Sequence, residues 1–262
     1  MYNIGSIRSI LASVSKYFVW CIETRAFPIF RNEAKYVKIH EIDCSNGIVH
    51  CFIRSPEDLI CKLRNVYSDD SGQEVIPTII FKWIGLSYNE IINLRNEDVD
   101  LQNAQIHVNS DAKTTVYNIP SVFIESLNIY KNTNVSERSA ANTWTVYADD
   151  IGFFVKKMLA KNSKKAGKSI TVKQLRDSVY RFSVLYSDKK NDIFRFDQDS
   201  IEKSALCYKL YQLEMSGEDI SSKELIYKLT GYVSSALYKD LLTLYKTYKK
   251  VFYSKYCEVL TQ

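Results

Sequence analysis

The chain is poor in the residues that break helices, with only 8 glycines and 4 prolines among 262 residues. Scarce breakers favour a mostly helical protein with short connections. No apolar run reaches the roughly 18 residues that a membrane-spanning helix needs, and no signal peptide is recognisable. The sequence therefore predicts a cytoplasmic protein without a membrane span.

Cysteine and histidine do not occur in metal-binding patterns. The six cysteines form no C-x-x-C pair, and the three histidines complete no zinc spacing. We therefore expect no metal site and no cofactor, and, since several cysteines lie in apolar stretches, we expect buried free thiols in a reducing cytosol. The cysteines are Cys21, Cys44, Cys51, Cys61, Cys207 and Cys257.

Positive charge is unevenly distributed along the chain, although the net charge is only +5. Between Ile151 and Leu185 a single acid, Asp177, accompanies a cluster of basic residues: Lys156, Lys157, Lys161, Lys164, Lys165, Lys168, Lys173, Arg176 and Arg181. A second basic cluster contains Lys246, Lys249, Lys250 and Lys255. Such clusters indicate either a polyanionic partner or a solvated helical face, and the composition leaves both open.

Hydrophobic periodicity and capping residues predict a mainly α-helical fold with a small β-sheet insert. Helices are predicted at Ile7–Arg25, Ser55–Tyr67, Pro77–Ile84, Ser87–Arg95, Ser121–Tyr130, Asp149–Lys161, Thr171–Tyr186, 200–214, 222–230 and 234–257. Two strand pairs are predicted, Tyr36–Asp43 with Ile48–Ile53 and Val99–Val108 with Thr114–Ile119. The polar stretch Lys131–Thr143 is expected to be a loop.

Three short stretches occur in an order that is typical of one family. The first, IGLSYNEIINLRNEDVDL at Ile84–Leu101, resembles T-G-L-R-x-x-E-L-x-x-L-x-W-x-D-I-D in its glycine–leucine step, its glutamate, its leucine spacing and its D-x-D ending, but lacks the arginine and the tryptophan. The second, ITVKQLRDS at Ile170–Ser178, resembles I-T-x-H-x-L-R-H-T. The third, LTGYVSS at Leu229–Ser235, is similar to L-G-H-S-S. In this order the three stretches resemble the tyrosine recombinases, or phage integrases.

The resemblance implies how the chain is organised. Residues 51–262 would form the region that corresponds to the integrase catalytic domain. Residues 1–50 would form a linker and a shortened, helical remnant of the core-binding domain. The segment 183–225 is longer than the family normally has at that place.

The resemblance also implies a depleted catalytic centre. The family clamps the scissile phosphate between two arginines, and here these positions hold Ser87 and Arg176. The hairpin lysine corresponds to Lys113, and the two proton-transferring histidines are replaced by Lys173 and Tyr232. The nucleophilic tyrosine is out of register, since the expected position holds Leu241, which Tyr238 and Tyr245 flank. Tyr245 is the better candidate if the preceding turn is lengthened, and packing within a helix is the other interpretation of that residue.

These substitutions predict a sequence-specific protein that binds double-stranded DNA, a phage or mobile-element repressor with an inactive recombinase fold in a bacterial cell. The alternative is an active recombinase that forms a covalent phosphotyrosine intermediate. The expected DNA contacts are Lys113, Lys164, Lys165, Lys168, Lys173, Arg176 and Arg181. The apolar face of the C-terminal helix favours either a homo-oligomer or packing within the chain.

Overall fold

A computed structural model describes residues 4–25, 31–37, 48, 50–67, 75–110, 113–133, 135–138, 143–146, 152–156, 169–190, 196, 198–230 and 235–254. The chain divides into two compact units, one comprising Met1–His50 with Lys246–Gln262 and the other Cys51–Tyr245. The described residues are mainly helical with two small antiparallel sheets, which confirms the expected, mainly helical fold class.

The first unit contains helix α1 (Ile4–Thr24) and a short 3-10 helix at Glu33–Tyr36. The amide nitrogen of Asn32 joins them by donating to the carbonyl oxygen of Ser15 at 2.9 Å and to its hydroxyl at 2.8 Å. Helix α1 confirms the predicted helix at Ile7–Arg25. The predicted strand Ile48–Ile53 is wrong, because Ile48, His50 and Cys51 are helical. Its partner Tyr36–Asp43 lies mostly outside the described residues.

The second unit is built from helices α2 to α8, together with the start of α9. Their bounds are α2 Pro56–Tyr67, α3 Ile76–Ile84, α4 Tyr88–Asn93, α5 Ser121–Asn132, α6 Val172–Lys190, α7 Gln198–Met215, α8 Lys223–Thr230 and α9 Ser235–Tyr253. Capping residues set several of these ends. The hydroxyl of Ser55 accepts a hydrogen bond from the backbone of Asp58 at 3.3 Å, and Gly85 ends α3 with a φ of 114°.

A three-stranded antiparallel sheet follows α4, in the order β1 (Val99–Asp100), β2 (Gln105–Ser110) and β3 (Lys113–Asn118). The predicted single strand Val99–Val108 is thus wrong, because a turn divides it. The carboxylate of Asp100 accepts backbone N–H groups from Gln102 and Asn103 at 3.0 and 2.9 Å. Aspartate favours such turns by bonding to the backbone just beyond itself.

Two further predictions are corrected between α5 and α6. The stretch Lys131–Thr143 contains strand β4 (Val135–Arg138), which pairs with β5 (Thr143–Val146). Residues 152–156 are not helical, contrary to the helix predicted at Asp149–Lys161, whose other residues lie outside the described ones. Phe153 instead bridges to Arg95, and the N–H of Phe154 donates to the carbonyl of Leu94 at 2.8 Å. The backbone bonds of this segment therefore go to a neighbouring chain segment instead of to a helix of its own.

Helix α3 lies at the centre of the hydrophobic core. Every residue from Ile76 to Trp83 is buried, so the helix is enclosed on all sides by apolar partners such as Phe123 and Phe154. One of those buried residues is Lys82, and a lysine in such a place needs a polar or charged partner.

Helix α9 carries the apolar face that the sequence predicts. Leu241, Tyr245 and Tyr248 are buried in the single chain. Burial of this kind favours packing within the chain, and association of two copies through α9 stays a prediction. None of the described helices combines the length and the apolar character that a membrane crossing requires.

Candidate functional site

A cleft of about 1080 Å³ opens in the second unit beside α3, α4, α6 and α7. Its charged lining residues are four cations and two carboxylates, so it is net positive: Lys82, Arg176, Lys209 and Lys228 against Glu57 and Glu202. Its aromatic lining residues are Trp83, Tyr88, Tyr117 and Tyr208. The cleft also includes Ser87, so it unites the two positions that the sequence analysis assigned to the phosphate clamp, Ser87 and Arg176.

Ser87 lies at the N-terminus of α4 and caps that helix. Its hydroxyl accepts the backbone N–H of Glu90 at 3.3 Å, while the carboxylate of Glu90 accepts the backbone N–H of Ser87 at 2.6 Å. This is the reciprocal capping box that the sequence predicted. The hydroxyl of Ser87 is therefore engaged with its own helix, and it carries no positive charge for an anion.

The Ser87→Ala variant should lose about 1 kcal/mol of stability, since alanine cannot accept the N–H of Glu90. Its binding to any anionic ligand of the cleft should stay within about 2-fold of the wild type, because no charge is removed. Urea denaturation and a ligand titration on the same preparation would check both statements. A large loss of affinity with unchanged stability would show that the hydroxyl contacts the ligand.

Arg176 enters the cleft from the first turns of α6. Its guanidinium carbon lies 5.2 Å from the centre of the Tyr88 ring, which is a cation–π arrangement. The N-terminus of α6 is set by a second capping box: the hydroxyl of Thr171 accepts the N–H of Gln174 at 3.2 Å, and the Gln174 amide oxygen accepts the N–H of Thr171 at 3.1 Å. Cap and ring together orient a side chain that is otherwise exposed.

Lys82 approaches the same aromatic ring from α3. Its ammonium lies 4.9 Å from the centre of the Tyr88 ring, donates to the carbonyl of Leu86 at 2.8 Å and forms an ion pair with Glu202 at 2.5 Å. The ammonium of Lys82 and the guanidinium carbon of Arg176 both lie close to the centre of the Tyr88 ring. The distance between these two cations therefore cannot exceed the sum of their two distances from that centre. Lys82 was not among the site residues predicted from the sequence, although a lysine inside a mostly apolar helix was a visible signal.

Two phenols in the cleft have raised pKa values. Burial is the main cause of the raised pKa of Tyr117, and the carboxylate of Glu90 adds to it by charge and by a hydrogen bond of 3.4 Å from the phenol. Burial is again the main cause for the raised pKa of Tyr208, with a contribution from the charge of Glu57. Both phenols therefore hold their protons more firmly than free tyrosine does.

The other expected site residues do not all converge on this cleft. Lys173 and Arg181 are exposed on α6, but among the described residues neither lines the cleft. The backbone of Lys113 begins β3, opposite Ser110, and its side chain lies outside the described part of the chain. Also outside it are Lys164, Lys165, Lys168 and Tyr232.

Tyr245 lies away from the cleft, buried in α9. Its hydroxyl donates to the carboxylate of Glu214 on α7. Burial, followed by that hydrogen bond, raises the pKa of Tyr245 far above its usual range. A buried phenol whose proton is held by a carboxylate is a poor nucleophile, so the geometry favours the packing role over the catalytic one.

One member of the basic cluster has a structural role. Lys156 is buried, and its ammonium donates to the carbonyls of Lys131 and Thr133, each at 2.8 Å, at the C-terminal end of α5. The ammonium of Lys156 therefore does not contribute to a polyanion-binding surface, although the composition of the cluster indicated that it would. Within the described residues, no group of three or more potential ligands is placed to hold a metal ion.

Comparison with known proteins gives structural neighbours only. No family model and no curated protein matches the chain. The crystal structure of XerA recombinase is similar with a TM-score of 0.45 and 15% identity, over 76% of this chain and 62% of that one. The Tn1549 transposon integrase, solved in complex with circular intermediate DNA, is similar with a TM-score of 0.44 and 15% identity, over 91% of this chain and 75% of that one. The chain thus spans less than two thirds of the XerA chain.

Proposed function

We propose that this protein binds double-stranded DNA by its sugar–phosphate backbone in the Ser87–Arg176 cleft, without cutting it, and acts as a sequence-specific regulator of a phage or mobile element. The observation that carries the proposal is the convergence of Arg176 and Ser87 in one net-positive cleft. The two residues come from two of the short motifs, which are far apart in the sequence.

The charges of the cleft suit a phosphate backbone. Cations that neutralise phosphates supply most of the affinity for duplex DNA and make it depend on salt. Guanidinium groups meet phosphate oxygens in a bidentate way, and Arg176 offers one such group. Lys209 and Lys228 line the same cleft from α7 and α8, so a backbone lying in it would meet several cations. Such contacts position a protein on DNA, and base contacts made elsewhere must supply the specificity.

The chemistry of the cleft argues against cleavage. A phosphoryl transition state needs positive charge on its equatorial oxygens, and a serine replaces one of the two guanidinium groups that the family uses. Loss of one such donor costs about 10²–10³-fold in rate. Two cleft phenols, Tyr117 and Tyr208, have raised pKa values, which opposes nucleophilic attack at neutral pH.

The proposal is tested by titrating labelled duplexes with the full chain at several salt concentrations. For about four phosphate contacts, affinity should fall about 100-fold between about 50 mM and about 200 mM salt. Selection from a pool of genomic fragments should recover one preferred site. Absence of binding to any duplex at low salt would refute the proposal.

The Tyr245→Phe variant separates this proposal from the recombinase alternative. Loss of the hydrogen bond to Glu214 should lower stability by about 1 kcal/mol, while DNA affinity stays unchanged. With a nicked duplex, neither the wild type nor the variant should form a covalent adduct that survives denaturing electrophoresis. An adduct that forms in the wild type and disappears in the variant would establish catalysis by Tyr245.

A further inference from the structure

We propose that Lys82 is a further phosphate-binding cation of the cleft, and that Glu202 occupies the place of the phosphate until DNA enters. The inference rests on the proposed function and names the group that compensates for the missing guanidinium at Ser87. It is carried by the arrangement of Lys82, Tyr88, Arg176 and Glu202 around one side of the cleft.

The position of Lys82 is unusual for a merely structural lysine. Its neighbours Phe81 and Trp83 are buried apolar residues of a helix that is enclosed on all sides. A buried ion pair in such a place is often no more stabilising than apolar residues of similar volume. Stability alone therefore does not account for the lysine, whereas a cation beside Arg176 has an evident use in a phosphate-binding cleft.

The geometry fits a replacement for the lost guanidinium. Lys82 is five residues before Ser87, and its ammonium reaches the carbonyl of Leu86, the residue next to the vacated arginine position. The same ammonium and the guanidinium of Arg176 both contact the Tyr88 ring. Two cations beside one ring are close enough together to contact neighbouring phosphates of one strand.

Glu202 is suited to leave the ion pair. Its side chain is 39% exposed, against 7% for Lys82, so the carboxylate can move into water while the ammonium stays in place. A phosphodiester carries one negative charge, as does the carboxylate, so the exchange leaves the buried ammonium neutralised throughout. Until that exchange occurs, the carboxylate repels an incoming phosphate and lowers the apparent affinity of the cleft.

The Lys82→Met variant keeps the length of the side chain and removes its charge. It should bind duplex DNA about 10-fold more weakly, and the slope of log affinity against log salt should become shallower by about one unit. A lysine with only a structural role would alter stability and leave that slope unchanged. Circular dichroism would verify that the variant is folded.

The Glu202→Gln variant tests the second half of the inference, that Glu202 holds the place of the phosphate. It changes the more exposed partner of the ion pair. It should bind duplex DNA about 3- to 10-fold more tightly than the wild type at low salt. Glu218→Gln is the matched control: Glu218 is exposed in the turn after α7, and among the described residues it does not line the cleft. Removing its charge should change affinity by less than about 2-fold.

The outcomes distinguish this inference from the proposed function. If the wild type binds no duplex, the proposed function is wrong. If the wild type binds with the expected dependence on salt but Lys82→Met leaves the slope unaltered, the inference alone is overturned. An equal gain in affinity from Glu202→Gln and Glu218→Gln would also overturn it, because the effect would then reflect net charge.

Discussion

Replacing Lys156 with methionine is expected to lower the free energy of unfolding by about 2–3 kcal/mol. The ammonium of Lys156 donates to the carbonyls of Lys131 and Thr133 at 2.8 Å, and lies 3.5 Å from that of Tyr130. These carbonyls are at the C-terminal end of α5, where a helix presents unpaired acceptors and partial negative charge. Methionine retains the apolar stem but offers no donor, and water has little access to a buried position.

Urea denaturation provides the measurement. The midpoint should shift while its dependence on urea concentration stays the same, since the surface exposed on unfolding is unchanged. Lys173→Met is the matched control, because Lys173 is exposed on α6 and its replacement should alter stability by less than about 0.5 kcal/mol. Equal stability of the Lys156 variant and the wild type would show that the capping contacts contribute little.

Lys156 also marks a limit of what composition reveals. Sequence alone places it in a run of basic residues and favours a polyanion-binding surface. In the structure the Lys156 side chain points to the end of α5, because its ammonium bonds to carbonyls there. That end lies about 25 residues earlier in the chain. Composition reports how many charges a segment carries but not which way each side chain points. The same limit applies to the ion pair between Lys82 and Glu202, since the partners are separated by more than a hundred residues.

Features that depend on neighbouring residues were predicted well. The capping boxes at Ser87 and Thr171 and the helix end at Gly85 follow from residues at most three positions away, and all three are confirmed. The turn at Asp100 was missed because apolar residues on both sides made the stretch resemble one strand. Asp100 and Asn103, both common in turns, were the signal that could have divided it.

The candidate site was only partly predictable for the same reason. The motifs identified Ser87 and Arg176, and the structure brings both to one cleft. The motifs also suggested Lys173, which is exposed on α6 and does not line the cleft, and Tyr245, which is buried. Lys209 and Lys228 were missed, because neither lies in a motif and only the packing of α7 and α8 brings them to the cleft.

The Arg176→Ala variant is expected to lose about 10- to 100-fold in affinity for duplex DNA, which corresponds to the roughly 1.5–3 kcal/mol of a charge-assisted hydrogen bond. Arg176 is the guanidinium of the cleft, and the Tyr88 ring orients it. Because a phosphate contact carries no sequence information, affinity should fall by a similar factor for the preferred site and for unrelated duplexes. The salt dependence should become shallower by about one unit. Titrations of both duplexes at several salt concentrations measure all three effects.

Arg181→Ala supplies the control for this prediction. Arg181 is exposed on the same helix, but five residues correspond to about 140° of rotation, so it projects from a different side than Arg176. Its guanidinium already donates to the carbonyl of Asp177 at 3.3 Å. If the cleft is the binding site, this variant should lose less than about 3-fold in affinity through its change in net charge. A loss as large as that of Arg176→Ala would move the DNA contact from the cleft to the exposed surface of α6.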